Sequence, residues 1–200
     1  INYAEKNPDG SVKKIPDSLK MPFKTKAGRV VYDGGGIDPD KKTKKEFMAH
    51  VVYYLMAKGI VADYANLYVA KNTKPSSAKA FKYTDAEYDK FVAFAKEQKF
   101  SYESSVEKEL KELKKKAEDE KMLSNIQNAY DELEKKIKEV KNNEFYEHKK
   151  DIFNYIESEI VRRYFHRKGL VEHGFENDED IKEALKLFAN QAEYNNLLKK

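Results

Sequence analysis

Apolar side chains recur at spacings of three and four residues in three successive stretches between residues 106 and 164. Side chains with this spacing share one side of an α-helix, so each stretch predicts an amphipathic helix with a narrow apolar stripe. Short connections between the stretches predict antiparallel helices that pack side by side. The three stripes consist of Val106, Leu110, Leu113 and Ala117; of Ile126, Tyr130, Leu133, Ile137 and Val140; and of Phe145, Ile152, Ile156, Ile160 and Tyr164.

Shorter helical patterns precede and follow these stripes. One helix is predicted from about residue 46 until Gly59 ends it, and a second is predicted over residues 60–70. A final helix is predicted over residues 178–188, where the acidic start suits the positive end of the helix dipole. Residues 194–198 predict one further turn.

Several helix boundaries have signals of their own. Thr84 and Glu87 have the spacing of a capping box, in which each side chain bonds to a backbone NH of the other residue. The other predicted boundaries are a start at Ser104 or Ser105, a capping box from Ser124 to Gln127, a turn at Asn142–Asn143 and a stop at Gly169.

The stretch 23–40 has a different character. Residues 30–32 are β-branched or aromatic, which predicts a strand, and a glycine triplet at 34–36 permits a bulge or a close backbone approach. Pro39 has no backbone NH, so the strand is predicted to end or turn there. The turn-rich segment 1–22 predicts an extended excursion with a hairpin-like reversal that returns into this strand.

These elements predict a mainly α (α+β) fold, in which a short N-terminal β or extended piece precedes an antiparallel helical region. Three parts are predicted along the chain. They are a β or extended tail of a larger core over residues 1–42, two short helices over 43–74, and a C-terminal helical domain over 75–200. The boundary at 74–75 rests on the helix-breaking sequence Lys-Pro-Ser-Ser.

The composition favours slender helical layers. Of the 200 residues, 40% are apolar and 37% are charged, whereas ordinary domains have about 45–50% and about 25%. The net charge of +4 is concentrated in residues 1–45, where lysines flank the strand, and no basic motif with interleaved aromatics predicts nucleic-acid binding. The longest apolar run is too short to span a bilayer.

Candidate chemistry is sparse. The chain has no cysteine, so thiol nucleophiles and disulfides are excluded, and its four histidines lack zinc-ligand spacing. No serine lies in a setting that would activate its hydroxyl, and the glycine triplet is not followed by the lysine of a phosphate-binding loop. The acidic residues near Pro39 fail the spacing of a calcium loop. We therefore expect no cofactor, no metal and no catalytic residue in these 200 residues.

Four motifs give the chain a family resemblance. GRVVYDGGGIDPD at 28–40, preceded by NPDGSVKKIPDSL at 7–19, is similar to the end of the protease core in carboxyl-terminal processing peptidases, also called tail-specific proteases. Asp63-Tyr64-Ala65 with Tyr68, and EIVRRYF at 159–165, resemble later parts of the same family. The resemblance implies a Ser-Lys serine endopeptidase in the periplasm or cell envelope, with both catalytic residues upstream of Ile1.

The resemblance also suggests which residues matter. Those implied to be structural are Gly28, Arg29, Gly34, Gly35, Gly36, Pro39, Asp63 and Tyr64, and those implied as a possible interface with the protease core are Arg162, Arg163 and Tyr164. The simpler interpretation of the arginines is an ion pair with Glu159, while Tyr164 lies in the core.

Two functional hypotheses follow. In the first, the chain is a non-catalytic C-terminal fragment of a tail-specific protease that packs on the upstream protease core and controls substrate access, self-association or adaptor binding. The second is an independent helical module, unrelated to proteolysis, whose seams over residues 106–140 recruit a partner helix. The expected partners are the upstream core, protein substrates or adaptors, and a second copy of the chain.

Overall fold

A computed structural model describes residues 19–26, 28–32, 39–43 and 48–198. The chain divides into two compact units, one formed by residues 46–177 and the other by residues 1–45 with 178–200. The elements are β1 (Pro22–Lys24), β2 (Val30–Tyr32), α1 (His50–Ala57), α2 (Ile60–Lys71), α3 (Asp85–Glu97), α4 (Ser105–Asp119), α5 (Leu123–Glu147), α6 (Lys149–Gly174), α7 (Glu179–Ala189) and α8 (Gln191–Leu198). The predicted mainly α fold with a short N-terminal β piece is confirmed, and this β piece is an antiparallel strand pair.

The core of the 46–177 unit lies where α2 packs along α6, with α1 and α3 against this pair. α6 contributes Ile152, Ile156 and Ile160, which are fully buried at the four-residue spacing predicted for them. Aromatic rings fill much of the remaining space, and Phe91 of α3 is one of the largest fully buried side chains. A narrow aliphatic and aromatic core of this kind suits the highly charged composition.

Two short helices open this unit. Gly59 separates α1 from α2 with a φ of 71°, a left-handed conformation that glycine adopts at little cost. The end of α1 and the whole of α2 therefore lie where the sequence predicted them. The start of α1 is at His50, with Ala49 as its N-cap, rather than at residue 46.

Capping boxes fix the start of α3, as predicted, and the start of α4, which was predicted at Ser104 or Ser105. The Thr84 hydroxyl accepts from the Glu87 backbone NH, and the Glu87 carboxylate accepts from the Thr84 NH at 2.7 Å. Ser104 and Glu107 make the same reciprocal pair. Ser104, rather than Ser105, is thus the cap of α4.

Three predicted boundaries in the second half of the unit are wrong. α5 begins at Leu123 after Lys121 adopts a φ of 57°, so Ser124 lies inside the first turn and caps nothing. α5 also continues through Asn142–Asn143 and ends at Glu147, because the end of this helix contacts the core through Phe145. Packing of this kind readily outweighs the weak preference of asparagine for turns.

Gly169 does not end α6, which continues to Gly174. Gly169 is buried, and a methyl group there would overlap the Phe165 side chain and press on Ala78, so the glycine serves close packing. The helix is instead interrupted at His166, where φ is 57° and ψ is −160°. A non-glycine residue rarely adopts this conformation, and the surrounding packing must hold it.

The second unit contains the antiparallel pair β1–β2, in which Phe23 lies opposite Val31. Gly28, with a φ of 83°, turns the chain between the strands, and Thr25 bonds to Arg29 across the turn. In the same unit, α7 packs with α8, and Asp178 caps α7 by accepting from two backbone NH groups. The strand at 30–32 and the final helix are confirmed, and the excursion predicted for residues 1–22 lies mostly outside the described residues.

Candidate interaction surfaces

A cluster of polar contacts fixes the base of the hairpin formed by α4 and α5. Lys141 of α5 pairs with Glu107 of α4 at 2.6 Å and lies over the Tyr102 ring at 4.3 Å. Tyr102 donates a hydrogen bond to Glu144 and stacks on Tyr54 of α1, with ring centroids 4.1 Å apart. The contacts join the hairpin to the core and set which residues of α4 and α5 lie side by side.

Electrostatics support this cluster. Burial alone would raise the pKa of Glu107, but hydrogen bonds from Lys141 and Ser104 outweigh it and hold the pKa below its ordinary value. Burial, followed by the hydrogen bond to Glu144, raises the pKa of Tyr102, so its hydroxyl stays protonated and remains a donor. The base of the hairpin is therefore a charged and hydrogen-bonded anchor at neutral pH.

Beyond this base the hairpin is thinly packed. Between residues 105 and 147 only Leu110, Ala117 and Tyr130 are buried. Five large non-aromatic apolar side chains of the hairpin remain about half exposed, at 47–57%, and all of them except Met122 belong to the predicted seams. They are Val106, Leu113, Met122, Leu133 and Val140, and we call them the hairpin face.

A second network joins three tyrosines to one residue, Glu87, between α2 and α3. Tyr68 donates to the Glu87 carboxylate at 2.5 Å, while Tyr64 and Tyr83 both donate to the Glu87 backbone oxygen, at 3.0 and 2.9 Å. Glu87 is also the capping-box residue of α3. One side chain thus stabilises both the start of α3 and its contact with α2.

The pKa of Glu87 follows from these contacts. Burial raises it, but hydrogen bonds from Tyr68 and Thr84 and the charge of Lys90 outweigh burial and leave the pKa below 4.5. A carboxylate whose pKa is lower in the folded state than in the unfolded state stabilises the fold. The stabilisation is complete at a pH above the unfolded-state pKa, and it is lost as the pH falls through the folded-state pKa.

We therefore expect the free energy of unfolding to fall as the pH is lowered below 4.5, the ordinary glutamate value. The Glu87→Gln variant should lose less stability over this acid range than the wild type does, because its side chain cannot be protonated. Urea unfolding followed by circular dichroism at neutral and acid pH measures this difference. Equal acid dependence in the two proteins would contradict the role given to Glu87.

Arg162, Arg163 and Tyr164 occupy three different settings on α6. Arg163 bonds to Glu159 at 2.7 Å and reaches α2, where it donates to the Asn66 side chain and the Ala62 backbone oxygen. Arg162 contacts the other oxygen of Glu159 at 3.3 Å and is more exposed. Tyr164 is buried, and its hydroxyl donates to the Asn72 backbone oxygen at 2.9 Å. The ion pair predicted for the arginines is present.

Residues 51–188 match the family model described as "Probable PDZ-protease, C-terminal helical domain". The chain belongs to this family. The match covers more than half of the 200 residues and includes α1 to α6, the hairpin face and both polar networks. Of the two hypotheses raised by the sequence, it favours the one linked to a protease. No curated protein matches the chain, and no solved structure matches it.

The residues predicted to be structural lie partly in the strand segment before this match and partly within it. Gly28 forms the turn between the strands, and Arg29 pairs with Asp40, next to Pro39. Asp63 lies in the first turn of α2, whereas Tyr64 is buried in the tyrosine network. The importance assigned to these residues stays a prediction. The glycines Gly34, Gly35 and Gly36 lie outside the described residues.

Sequence reasoning missed the buried pair formed by Glu157 and His173 of the helical domain. The Glu157 carboxylate accepts from the Tyr83 backbone NH at 3.2 Å, and its other oxygen lies 3.1 Å from His173 Nε2, outside hydrogen-bond geometry. His173 Nδ1 lies 3.1 Å from the Ala78 backbone oxygen. Glu157 does fall beside Ile156 and Ile160 on the apolar stripe, and this was the available signal.

Among the residues that the structure describes, no group of three or more His, Cys, Asp or Glu side chains is placed to hold a metal ion. Likewise, no helix in the described ranges is both long and apolar enough to cross a membrane. The features described for this domain are the hairpin face, the polar cluster at the base of the hairpin and the tyrosine network around Glu87.

Proposed function

We propose that this chain is the non-catalytic C-terminal region of a tail-specific serine endopeptidase and acts by contact. The family match over residues 51–188 carries the proposal, because it names a helical domain of a protease. The motifs at 28–40, 63–68 and 159–165 support the narrower assignment to carboxyl-terminal processing peptidases. In that assignment the nucleophilic serine and its lysine base belong to the upstream part of the same polypeptide, in the periplasm or cell envelope.

The outer side of α1 is our candidate for the contact with the upstream protease core. One side of this helix is buried and carries Val51, Val52 and Leu55. On the other side, Tyr53 is 64% exposed and Met56 is 41% exposed. These two residues are three apart, so their side chains are neighbours on the helix surface. A tyrosine and a methionine adjacent on an exposed surface favour a protein contact over solvent.

The test is a cleavage assay on the full-length polypeptide with a protein substrate that ends in an unstructured apolar tail. We expect cleavage near the substrate C-terminus, abolished when the upstream serine is replaced by alanine, and no cleavage by the 200-residue chain alone. Cleavage by the 200-residue chain that depended on one of its own side chains would overturn the proposal. So would an upstream sequence that lacked a serine and lysine pair.

The same assay tests the α1 contact. The double variant Tyr53→Ser/Met56→Ser should reduce cleavage by the full-length protein while leaving the thermal stability of the 200-residue chain nearly unchanged, because both side chains are exposed there. The matched control is Tyr146→Ser, since Tyr146 on α5 is 52% exposed. Equal cleavage by the α1 variant and the control would exclude α1 as the contact.

A further inference from the structure

The hairpin face, defined above, has the geometry of half a helical bundle. Val106 and Leu113 lie seven residues apart on α4, as do Leu133 and Val140 on α5. The buried residues Leu110 and Ala117 repeat at the same interval, beside the exposed set. In a two-stranded coiled coil both sets of such a heptad pattern are buried between the two helices. Here one set closes the hairpin and the other remains exposed.

The two exposed sets lie on the same side of the hairpin. On α4, Val106 and Leu113 precede the buried Leu110 and Ala117 by four positions, and on α5 Leu133 precedes the half-buried Ile137 by four. Four residues turn an α-helix by about 40° beyond one full turn, so both sets are displaced in the same rotational sense from the seam. The helices run in opposite directions, and this reversal brings the two sets to one face.

The anchor at the base fixes which residues lie level. Because Lys141 pairs with Glu107 at 2.6 Å, Val106 lies within about one helical turn of the level of Val140, and seven residues further along each helix Leu113 lies within about one turn of the level of Leu133. Lys114 over the Tyr130 ring, at 5.3 Å, keeps the helices together further along. The face therefore consists of a valine pair, a leucine pair and Met122 near the tip.

Charges beside the face are complementary to a second copy of the same face. A two-fold axis parallel to the helices places α4 of one copy against α5 of the other, at the same levels as within one hairpin. In that arrangement Lys116 lies level with the partner's Glu132. Glu112 lies level with the partner's Lys136, and Glu109 lies just under one helical turn away from it. Because of the two-fold symmetry, each of these charge pairs occurs twice in the dimer. Each pair joins residues of opposite charge.

We propose that two copies of this chain associate through the hairpin face as a four-helix bundle with both tips pointing the same way. This deepens the proposed function by naming self-association as one contact that the domain makes. The valine and leucine pairs of the two copies form layers of four side chains, which is the packing of four-helix bundles. Because the tips of the two hairpins point the same way, the bases of both hairpins lie at the other end of the bundle, together with the helical cores to which they are joined.

Light scattering coupled to gel filtration on the 200-residue chain tests the proposal. We expect twice the 23.3 kDa mass of one chain at about 0.1 mM protein, and dissociation on dilution. Leu113→Gln/Leu133→Gln should weaken association by roughly a hundredfold, because it removes the central layer. The control Leu67→Gln/Leu185→Gln changes two leucines that are 44% and 62% exposed elsewhere and should leave association unchanged.

A charge exchange tests the arrangement itself. Lys116→Glu should weaken association by roughly tenfold, because it places two acidic residues opposite each other at both symmetric contacts. Adding Glu132→Lys in the same chain should restore association. A chain that stays monomeric at about 0.1 mM, a dimer that the leucine variant does not weaken, or a failure of the second charge change to rescue the first would each overturn the proposal.

The result of the self-association experiment does not depend on whether the full-length protein is a protease. Self-association is measured on the 200-residue chain without any upstream part, whereas the cleavage assay measures the full-length protein. A monomeric 200-residue chain would leave the cleavage result untouched, and the absence of cleavage would leave the mass measurement untouched. Circular dichroism of each variant, with an unchanged helical signal, shows that a lost dimer is not an unfolded protein.

Discussion

Phe91→Ala should destabilise the 46–177 unit by about 3–5 kcal/mol. Phe91 is fully buried on α3 and has an edge-to-face contact with Tyr64 of α2 at a centroid distance of 5.2 Å. Its ring also lies near Tyr88 and near Phe145 at the end of α5. Removing the ring leaves a cavity where three helices meet, and fixed secondary structure on every side limits how far the cavity can collapse.

Urea unfolding of the 200-residue chain, followed by circular dichroism at 222 nm and by tyrosine fluorescence, measures this loss. Phe175→Ala is the matched control, because Phe175 is 48% exposed in the same unit and should cost at most about 0.5 kcal/mol. Similar losses in the two variants would mean that Phe91 does not occupy the centre of the core.

Glu157→Ala should destabilise the same unit by about 2–4 kcal/mol. The Glu157 side chain is 9% exposed and accepts a hydrogen bond from the Tyr83 backbone NH. Alanine leaves that NH without its acceptor and leaves His173 without its carboxylate neighbour. His173 follows the interruption at His166, so this pair also connects the two parts of α6.

Two further variants separate the causes. Glu157→Gln keeps an oxygen for the Tyr83 NH but removes the charge beside His173, so we expect about half of the loss seen with alanine. Glu176→Ala is the control for a surface pair, because Glu176 is 67% exposed and lies 3.7 Å from Lys82, and it should change stability by at most about 0.5 kcal/mol. If Glu157→Ala left the free energy of unfolding unchanged, this result would contradict a structural role for the buried pair.

Local chemistry made several elements predictable from the sequence. Thr84 and Ser104 each have a glutamate three residues later, and both reciprocal caps are present, because such caps depend only on neighbours along the chain. Gly59 ends α1 and Asp178 begins α7 for the same reason. The mainly α class also followed from periodicity.

Predictions failed where distant contacts decided the outcome. Asn142–Asn143 resembles a turn, but α5 passes through it to bring Phe145 to the core. Gly169 resembles a helix stop, yet it is a point of close packing against Phe165 and Ala78. No local signal distinguishes a glycine that ends a helix from one that lets another side chain approach.

By itself, the sequence determined the helical class, the capped helix starts, the strand at 30–32 and the resemblance to a protease family, because each depends on residue types at short spacing. Only the tertiary structure decided that α2 packs along α6, that Glu157 is buried beside His173, and that half of the heptad pattern on α4 and α5 stays exposed. Periodicity shows that a helix has an apolar side. Which element packs against that side depends on contacts between residues far apart in the chain. Among the residues that the structure describes, no element of the 46–177 unit packs over the hairpin face.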